Sequence, residues 1–141
     1  MANDWNRQII DEFRRNDGKV GGNFAGAPLL LLTTTGAKTG RQHTTPVMYL
    51  KDGERFLVFA SKGGAPTNPH WYHNLVANPR ATIEVGRETF EVEAEVVQGE
   101  ERDRLYAEQS KRFPQFAEYQ ANTRRRIPVI ALTPVDADNT R

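Results

Sequence analysis

Two short loops rich in glycine and lysine carry the clearest chemical signal in this sequence. The first spans residues 36–41 and reads Gly-Ala-Lys-Thr-Gly-Arg, and the second spans residues 61–64 and reads Ser-Lys-Gly-Gly. Each follows an apolar run typical of a buried strand, at residues 29–35 and 56–60. Glycine-rich turns present backbone N–H groups, and a lysine beside them adds positive charge. Both loops therefore suit the phosphate or carboxylate groups of a ligand.

The sequence offers few side-chain combinations that could catalyse a reaction without a cofactor. The chain has no cysteine, which removes disulfides, thiolate nucleophiles and sulfur-ligated metals. Neither Ser61 nor Ser110 lies in a G-x-S-x-G elbow. His70 and His73 form an H-x-x-H pair, but the sequence suggests no third ligand nearby, so we expect no metal site. The chemistry is therefore expected to come from a bound cofactor.

The composition describes one globular domain with a basic half. The 141 residues have a mean hydropathy of −0.67, and no stretch approaches the roughly 20 apolar residues of a transmembrane helix. Between Lys19 and Arg80, seven bases stand against two acids, which favours a small polyanionic partner over nucleic acid. A further basic run, residues 124–126, is either a solvated turn or an anion-binding site. Because no secretory pattern opens the chain, we expect a cytoplasmic protein.

Strand signals follow one another from residue 29 onward. Apolar runs and alternating patterns predict strands, and Asp52-Gly53 between two apolar runs indicates a hairpin. The predicted strands are residues 29–35, 44–50, 55–61, 81–85, 89–97 and 127–132. The predicted helices after the first strand are residues 70–77, 100–112 and 115–123. This series predicts a mainly β fold, namely a small β-barrel with accessory helices.

An amphipathic helix is predicted ahead of the barrel. Trp5, Ile9 and Phe13 lie on one face of this helix, with arginines elsewhere. The helix either packs on the barrel wall or lies at a membrane surface. We therefore divide the chain into an N-terminal helix with its glycine-rich linker, residues 1–26, and a barrel domain, residues 27–135.

Two groups of aromatic residues can either fill the core or line a pocket. Trp71 and Tyr72 are adjacent on a short predicted helix, so both cannot face the core. One of them is expected to line a pocket for a planar ring. Phe113, Phe116 and Tyr119 lie at helical spacing, which is typical of a core stripe but also suits the wall of a binding pocket.

Five segments of the chain, taken in order, resemble a known family. They are residues 32–41 (LTTTGAKTGR), 44–46 (TTP), 60–64 (ASKGG), 68–75 (NPHWYHNL) and 78–79 (NP). Together they resemble the deazaflavin-dependent nitroreductase family of actinobacteria, and the likeness extends over nearly the whole folded chain. Members of that family use reduced coenzyme F420 and include quinone reductases and nitroimidazole-activating enzymes. The resemblance implies a split β-barrel of the flavin-reductase or pyridoxine-phosphate-oxidase type.

The resemblance also implies where the deazaflavin cofactor binds. The residues that match the family's contacts to the phosphate and the anionic oligoglutamate tail are Lys38, Thr39 and Arg41. The residues that match further cofactor contacts are Thr45, Pro46, Ala60, Ser61, Lys62, Gly63, Trp71, Tyr72, Asn74 and Leu75. The basic half of the chain agrees with a cofactor that carries a phosphodiester and several carboxylates.

The predicted helix at residues 115–123, with Phe113 just before it, is expected to form the acceptor pocket. Family members that activate nitroimidazoles carry several tyrosines there, whereas this chain has Phe113, Phe116 and Tyr119, with one hydroxyl. An apolar pocket of this kind suits a quinone such as menaquinone, or a related conjugated or nitro acceptor. We expect hydride transfer from reduced F420, with Ser61 or a backbone N–H beside it hydrogen-bonding the acceptor oxygen, and Tyr119 making a polar contact to the acceptor.

Two other functions are compatible with the same residues. One is a reductase that uses flavin mononucleotide (FMN) on the same barrel, and the other is a non-catalytic carrier of F420. Because menaquinone lies in the bilayer, the N-terminal helix is also a candidate for peripheral contact with the inner face of the membrane. The sequence leaves the oligomeric state open.

Overall fold

The computed structural model describes residues 2–21 and 28–135, with side chains from Asn6 onward. The strands are β1 (Leu29–Thr35), β2 (Gln42–Asp52), β3 (Arg55–Phe59), β4 (Arg80–Val85), β5 (Glu88–Val97) and β6 (Val129–Pro134). The helices are α1 (Ala2–Arg15), α2 (His70–Ala77), α3 (Gly99–Arg112) and α4 (Gln115–Ala121), with a short 3₁₀ helix at Lys62–Gly64. The predicted strands and helices are confirmed, each end lying within two residues of its expected position. Much of the glycine-rich linker, residues 22–27, lies outside the described residues.

The strands close into one antiparallel barrel in the order β1-β2-β3-β6-β5-β4, and β4 pairs back onto β1. The hairpin predicted at Asp52-Gly53 joins β2 to β3, with Asp52 paired to Arg55 across the turn. Helix α2 lies in the connection from β3 to β4, and α3 and α4 lie in the connection from β5 to β6. The expectation of a mainly β barrel with accessory helices is therefore confirmed.

Both faces of β1 are buried, which explains its unbroken run of leucines. Leu30 and Leu32 join the cluster inside the barrel, while Leu29 and Leu31 face a second cluster on the outside. All four side chains are at most 5% exposed. A strand covered on both faces has no reason to alternate polar and apolar residues, so it reads as a continuous apolar segment.

Helix α1 covers the outer face of β1. Ile9 and Phe13 are buried in the outer cluster together with Leu29 and Leu31. Arg14 adds an ion pair to Glu84 of β4, with 2.7 Å between Nη2 and Oε2. The Ile9–Phe13 face of the helix is therefore occupied by the barrel. The side chain of Trp5, predicted for the same face, lies outside the described part of the chain.

Among the described residues, no helix has the length and apolar character needed to cross a membrane.

Candidate active site

The β1–β2 loop, residues 36–41, is closed at its base by its own backbone. The Gly36 N–H donates to the Arg41 carbonyl over 2.6 Å, and the Gly40 N–H donates to the Gly36 carbonyl over 3.0 Å. Gly40 has a φ of +73°, which glycine adopts without strain. Lys38, Thr39 and Arg41 are all exposed. The loop therefore holds its basic residues out towards solvent in a fixed turn.

Asn74 of α2 ties this loop to the barrel. Its Oδ1 accepts a hydrogen bond from the Ala37 N–H and its Nδ2 donates to Thr34 Oγ1, both over 3.0 Å. The Asn74 side chain is only 6% exposed, so these bonds satisfy a buried amide. Asn74 thereby fixes the spacing between the loop and α2.

A cleft of about 600 Å³ opens between the β1–β2 loop and α2. Its lining residues are Gly36, Ala37, Lys38, Thr39, His43, His70, His73 and Asn74. This set offers an ammonium, a hydroxyl, imidazoles and backbone amides, and it contains no carboxylate. Such a set of donors suits a ligand with several negative charges.

The second glycine-lysine loop lies in residues 60–68, after β3. Lys62 has a φ of +48° and Gly64 a φ of +84°, so this segment makes a sharp turn. The Ser61 carbonyl accepts from the Gly64 N–H over 2.9 Å, which closes the turn. Ser61 is half-buried and Lys62 is exposed, with its Nζ 3.2 Å from Thr67 Oγ1.

The guanidinium of Arg125 holds the 60–68 segment in place. It donates four hydrogen bonds to this segment, three of them to backbone carbonyls. The acceptors are Ala60 O (2.9 Å), Ser61 O (2.6 Å), Ala65 O (2.8 Å) and Asn68 Oδ1 (2.8 Å). Only arginine carries enough donors in one rigid plane to satisfy such a set.

The sequence does not predict that Arg125 holds the 60–68 segment. The run at residues 124–126 is expected to be a solvated turn or an anion site, and for Arg125 neither applies, because its donors are used by the protein itself. The sequence carries no local signal that separates Arg125 from Arg124 and Arg126.

A buried polar network fixes Arg125 in turn. The Gln120 side chain donates to the Arg125 carbonyl over 2.7 Å and accepts from the Ile127 N–H over 3.0 Å. The same Gln120 oxygen accepts from Nη2 of Arg102, which is 8% exposed and also donates to the Ile127 carbonyl. Helices α3 and α4 are thereby connected to the segment that positions the 60–68 turn.

The two adjacent aromatic residues of α2 face different surroundings. Trp71 is 5% exposed and packs inside the barrel, as does Leu75. Tyr72 is half-buried and lines a separate cleft of about 380 Å³ beside Gly99 and Arg126. Trp71 and Leu75 therefore lie in the core, and only Tyr72 of the adjacent pair lies at a cleft, as expected for one of the two.

The aromatic stripe of the late helices is divided between core and surface. Phe116 is 5% exposed, with its ring 5.7 Å from that of Phe59 and 5.2 Å from that of Tyr119. Phe113 and Tyr119 lie half-buried at the edge of the same cluster. Phe116 thus acts as core, while Phe113 and Tyr119 lie closer to the surface.

Tyr119 is brought to the 60–68 turn by close packing at Gly64. A Cβ built on Gly64 would lie 2.9 Å from the Tyr119 carbonyl oxygen and 3.2 Å from its Cα. The structure therefore places α4 directly against the turn that follows Ser61.

Thr45 and Pro46 lie half-buried in β2, where they pair with Leu32 and Leu31 of β1. Thr45 also lines a third cleft, of about 430 Å³, between β2 and α1. His43 and His70 line this cleft as well, so it adjoins the one at the β1–β2 loop.

Among the described residues, no three His, Cys, Asp or Glu side chains are grouped so as to hold a metal ion.

A sequence model of the F420H(2)-dependent quinone reductase family matches residues 5–134. This chain belongs to that family. An F420H(2)-dependent quinone reductase of Mycobacterium tuberculosis is 45% identical over 125 residues, covering 86% of this chain and 84% of the relative. The solved structure of an F420-H2 dependent reductase is 38% identical, with a TM-score of 0.69 over 74% of this chain and 93% of that one. The resemblance inferred from the motifs is therefore confirmed.

A more distant solved structure extends the likeness of fold. It is a putative pyridoxamine 5'-phosphate oxidase from Listeria innocua, 14% identical, with a TM-score of 0.55 over 95% of this chain and 94% of that one. At this identity the likeness concerns the fold alone. It confirms the expected barrel of the pyridoxine-phosphate-oxidase type.

The residues around the β1–β2 loop fit the cofactor of this family. F420 carries a phosphodiester and several carboxylates, and the cleft beside Lys38 and Thr39 has cationic and neutral donors with no carboxylate in its lining. No atom of the described residues lies within 4 Å of a Cβ position built on Gly40, so this part of the loop is open on its outer side. The site therefore has the charge and the access that an extended anionic group requires.

Proposed function

We propose that this protein is an F420H2-dependent reductase that passes a hydride equivalent to a quinone. The observation that carries the proposal is the joining of both glycine-lysine loops to α2. Asn74 of α2 accepts a hydrogen bond from the Ala37 N–H of the β1–β2 loop, and the 60–68 segment leads directly into α2 at His70. The charge of Lys62 in that segment also lowers the pKa of His70, after the effects of burial and of His43. Both loops thus border one basic region, as an extended anionic cofactor requires.

The residues of the chain take distinct parts in this proposal. Lys38, Thr39 and Arg41 bind the phosphate and tail, and Lys62 adds charge at the second loop. Ser61, held by Arg125, and Tyr119, held by the Gly64 contact, orient the acceptor. When bound, reduced F420 supplies a hydride, and a quinone that also gains a proton from water becomes a hydroquinone. The protein contributes position and electrostatics.

The remaining residues that the family resemblance implies as cofactor contacts divide into two groups. Thr45, Pro46, Ala60, Gly63 and Tyr72 stay candidates for direct contact. We propose that Trp71, Asn74 and Leu75 act indirectly, because all three side chains are at most 6% exposed.

The acceptor proposed here is an apolar quinone of the menaquinone type. Phe113 and Tyr119 are the half-buried members of the late aromatic stripe, so an acceptor would meet an apolar ring and one hydroxyl. A nitro compound is the second candidate acceptor. This chain offers it fewer hydroxyl donors than the family members that activate nitroimidazoles, which carry several tyrosines in this region. Comparing kcat/KM for a soluble naphthoquinone and a nitroimidazole tests this order, and a higher value for the nitroimidazole would reverse it.

We propose no membrane docking through the Ile9–Phe13 face of α1, because the barrel already covers it. Sedimentation with vesicles that contain menaquinone tests this point. Binding that is lost when residues 1–17 are deleted, with the barrel still folded, would contradict it.

The deciding experiment is a fluorescence titration of the purified protein with F420, run beside FMN. We expect saturable binding of F420 that weakens in the double variant Lys38→Ala with Lys62→Ala. The double variant Lys51→Ala with Lys111→Ala is the matched control, because it also removes two positive charges, one from the β2–β3 hairpin and one from α3. Oxidation of F420H2 by a naphthoquinone then tests turnover.

The two alternative functions predict different results in these binding and turnover experiments. Binding of FMN in place of F420 would support a flavin enzyme on the same barrel. Tight F420 binding without oxidation by any acceptor would support a carrier.

A further inference from the structure

The chain has three histidines, and all three line the cleft at the β1–β2 loop. His43 lies near the start of β2, and His70 and His73 lie one turn apart on α2. The rings of His43 and His70 are 5.9 Å apart between centroids and meet edge to face at 76°. All three histidines are exposed, so a ligand in the cleft can reach the imidazoles.

Basic groups from three elements surround these imidazoles. Lys38 lines the same cleft from the β1–β2 loop, and Lys62 acts on His70 from the 60–68 segment. On the other side of His43 and His70, helix α1 adds Arg7, Arg14 and Asp11, which is the one acid in the described lining of that cleft. Arg14 is partly neutralised by its ion pair with Glu84. The positive charges around His70 therefore oppose its protonation.

The surroundings act most clearly on His70. Part of the His70 side chain is exposed, but the burial of the remainder lowers its pKa below the ordinary value, and the charges of His43 and Lys62 lower the pKa further. These surroundings favour the neutral imidazole of His70 in the free protein. An anion in the cleft acts in the opposite direction, because it stabilises the protonated imidazole and raises the pKa. Anion binding and protonation must then strengthen each other.

We propose that His43, His70 and His73 form a pH-dependent subsite for the anionic oxygens of the cofactor tail, which binds more tightly when they are protonated. This inference rests on the proposed function, because it takes the polyanion to be F420. It adds three residues that are not among the cofactor contacts implied by the family resemblance, and a property of this cleft, namely proton-linked affinity. Carboxylate and phosphate oxygens share the required chemistry, and truncated cofactors separate the two.

The first test measures the affinity for three deazaflavins between about pH 7.5 and pH 5.5, the range in which histidine titrates. The probes are F420 with its full tail, a form that keeps the phosphodiester but lacks the glutamates, and the deazaflavin riboside without phosphate. For full-length F420 we expect affinity to rise about tenfold as pH falls, a modest gain for three exposed imidazoles. The riboside is expected to show no such gain. A gain shared equally by the phosphate form assigns the subsite to phosphate rather than to tail carboxylates.

The matched variant is the triple substitution His43→Gln, His70→Gln, His73→Gln. Glutamine keeps a polar side chain and removes the titration, so the affinity of the variant for F420 should stay the same between about pH 7.5 and pH 5.5. Lys111→Gln on α3 controls for the loss of a positive charge elsewhere. A flat profile in the wild type, or an unchanged profile in the triple variant, would overturn the inference.

A second readout separates this inference from the proposed function. Proton NMR follows the imidazole resonances of the free protein during a pH titration, with and without a free oligoglutamate peptide as probe. Apparent pKa values that rise with the peptide support the subsite even if F420 itself fails to bind, in which case the cofactor assignment is the part that fails. Histidine pKa values that stay unchanged with both the peptide and F420, while F420 binds and turns over, would overturn the subsite alone.

Discussion

The carbonyl oxygen of Ser61 accepts a hydrogen bond of 2.6 Å from Nη2 of Arg125, a residue 64 positions later in the chain. Burial lowers the pKa of Arg125, but an arginine pKa starts so high that the guanidinium stays charged. One charged group therefore fixes the backbone that carries the proposed acceptor contact. Because the carbonyls of Ala60 and Ala65 bind the same guanidinium, the whole turn depends on this residue.

Replacing Arg125 should slow turnover more than it weakens cofactor binding. Arg125→Gln removes most of the four hydrogen bonds, and a shift of about 1 Å in a positioned group can lower the rate about 100-fold. We expect kcat with a naphthoquinone to fall by about this factor, while F420 affinity, set mainly at the β1–β2 loop, changes less. Steady-state kinetics and fluorescence titration of the same preparation measure both quantities.

The neighbouring arginine supplies the control for Arg125. Arg124 is exposed, so Arg124→Gln should leave kcat near that of the wild type. Arg125→Lys keeps the charge but not the planar set of donors, and it should restore only part of the rate. Equal losses of kcat in Arg124→Gln and Arg125→Gln would show that net charge matters here, and not the hydrogen bonds.

Asn74 is predicted to set both the stability of the barrel and the position of the β1–β2 loop. Asn74→Ala leaves the Thr34 hydroxyl and the Ala37 N–H without their partner, which should lower the free energy of unfolding by about 2 kcal/mol. F420 affinity should fall too, because the loop loses its link to α2. Urea unfolding and F420 titration measure the two effects.

Asn78 offers a matched comparison on the same part of the chain. Its Nδ2 makes only a long 3.4 Å contact to the Thr35 carbonyl, so Asn78→Ala should cost about 0.5 kcal/mol and leave F420 affinity unchanged. A loss of affinity as large as that of Asn74→Ala would mean that the loop is not positioned through Asn74.

Gly64 is predicted to accept no side chain. Gly64→Ala would place a Cβ 2.9 Å from the Tyr119 carbonyl at a φ of +84°, so it should destabilise the protein by about 3 kcal/mol and displace α4. Gly53→Ala separates the two causes, because Gly53 has a φ of +61° and no atom in the described part of the chain lies within 4 Å of the new Cβ. Thermal unfolding should show only about 1 kcal/mol of loss in that control. Similar losses in both variants would mean that backbone strain, and not the contact with Tyr119, limits this position.

The helices and strands can be predicted from the sequence because the burial of each face determines how apolar residues are spaced along the chain. The leucines of β1 and the alternation of Val92 with Glu91 and Glu93 in β5 report which faces are covered. The glycines of the β1–β2 loop likewise indicate a turn by their residue type alone. Signals of this kind are local, so they can be recognised without reference to distant parts of the chain.

Contacts between distant segments leave no such trace. Nothing near Arg125 indicates that its guanidinium binds carbonyls 57 to 65 positions earlier, and nothing near His43 indicates that His70 lies beside it. Those contacts depend on how α2 and the segment before β6 pack on the barrel. The family resemblance supplies cofactor positions, but it does not show that Trp71 and Leu75 have their side chains in the core.

Gln109 on α3 is predicted to lower the stability of the fold. Its side chain is 0% exposed, and neither amide atom has a hydrogen-bond partner among the described residues. Gln109→Met keeps a similar volume and removes the unpaired polar atoms, so it should stabilise the protein by about 1 kcal/mol. Differential scanning calorimetry should show a higher midpoint, whereas Gln109→Glu should lower it. A clear loss of stability in Gln109→Met would mean that the amide is paired, for example by a buried water.

Tyr106 is predicted to make stability fall at high pH. Burial raises the pKa of Tyr106 to about 12, against the opposing charges of Arg102 and Arg125, and its hydroxyl donates to the Phe116 carbonyl over 2.7 Å. Below pH 10, the tyrosine is protonated in both the folded and the unfolded chain, so its contribution to stability is complete. As the pH rises from about 10 to about 12, the unfolded chain releases this proton while the folded chain retains it, and the contribution is lost.

The substitution Tyr106→Phe isolates this effect. The variant should lose about 1 kcal/mol at pH 8 from the missing hydrogen bond. Between pH 10 and pH 12 its stability should fall less steeply than that of the wild type, by roughly 2 kcal/mol over the interval. Other groups that titrate in this range cancel in the difference, including Tyr49, whose pKa burial also raises. Urea unfolding of both proteins at half-unit pH steps measures the difference, and parallel curves would show that the Tyr106 hydroxyl ionises equally in both states.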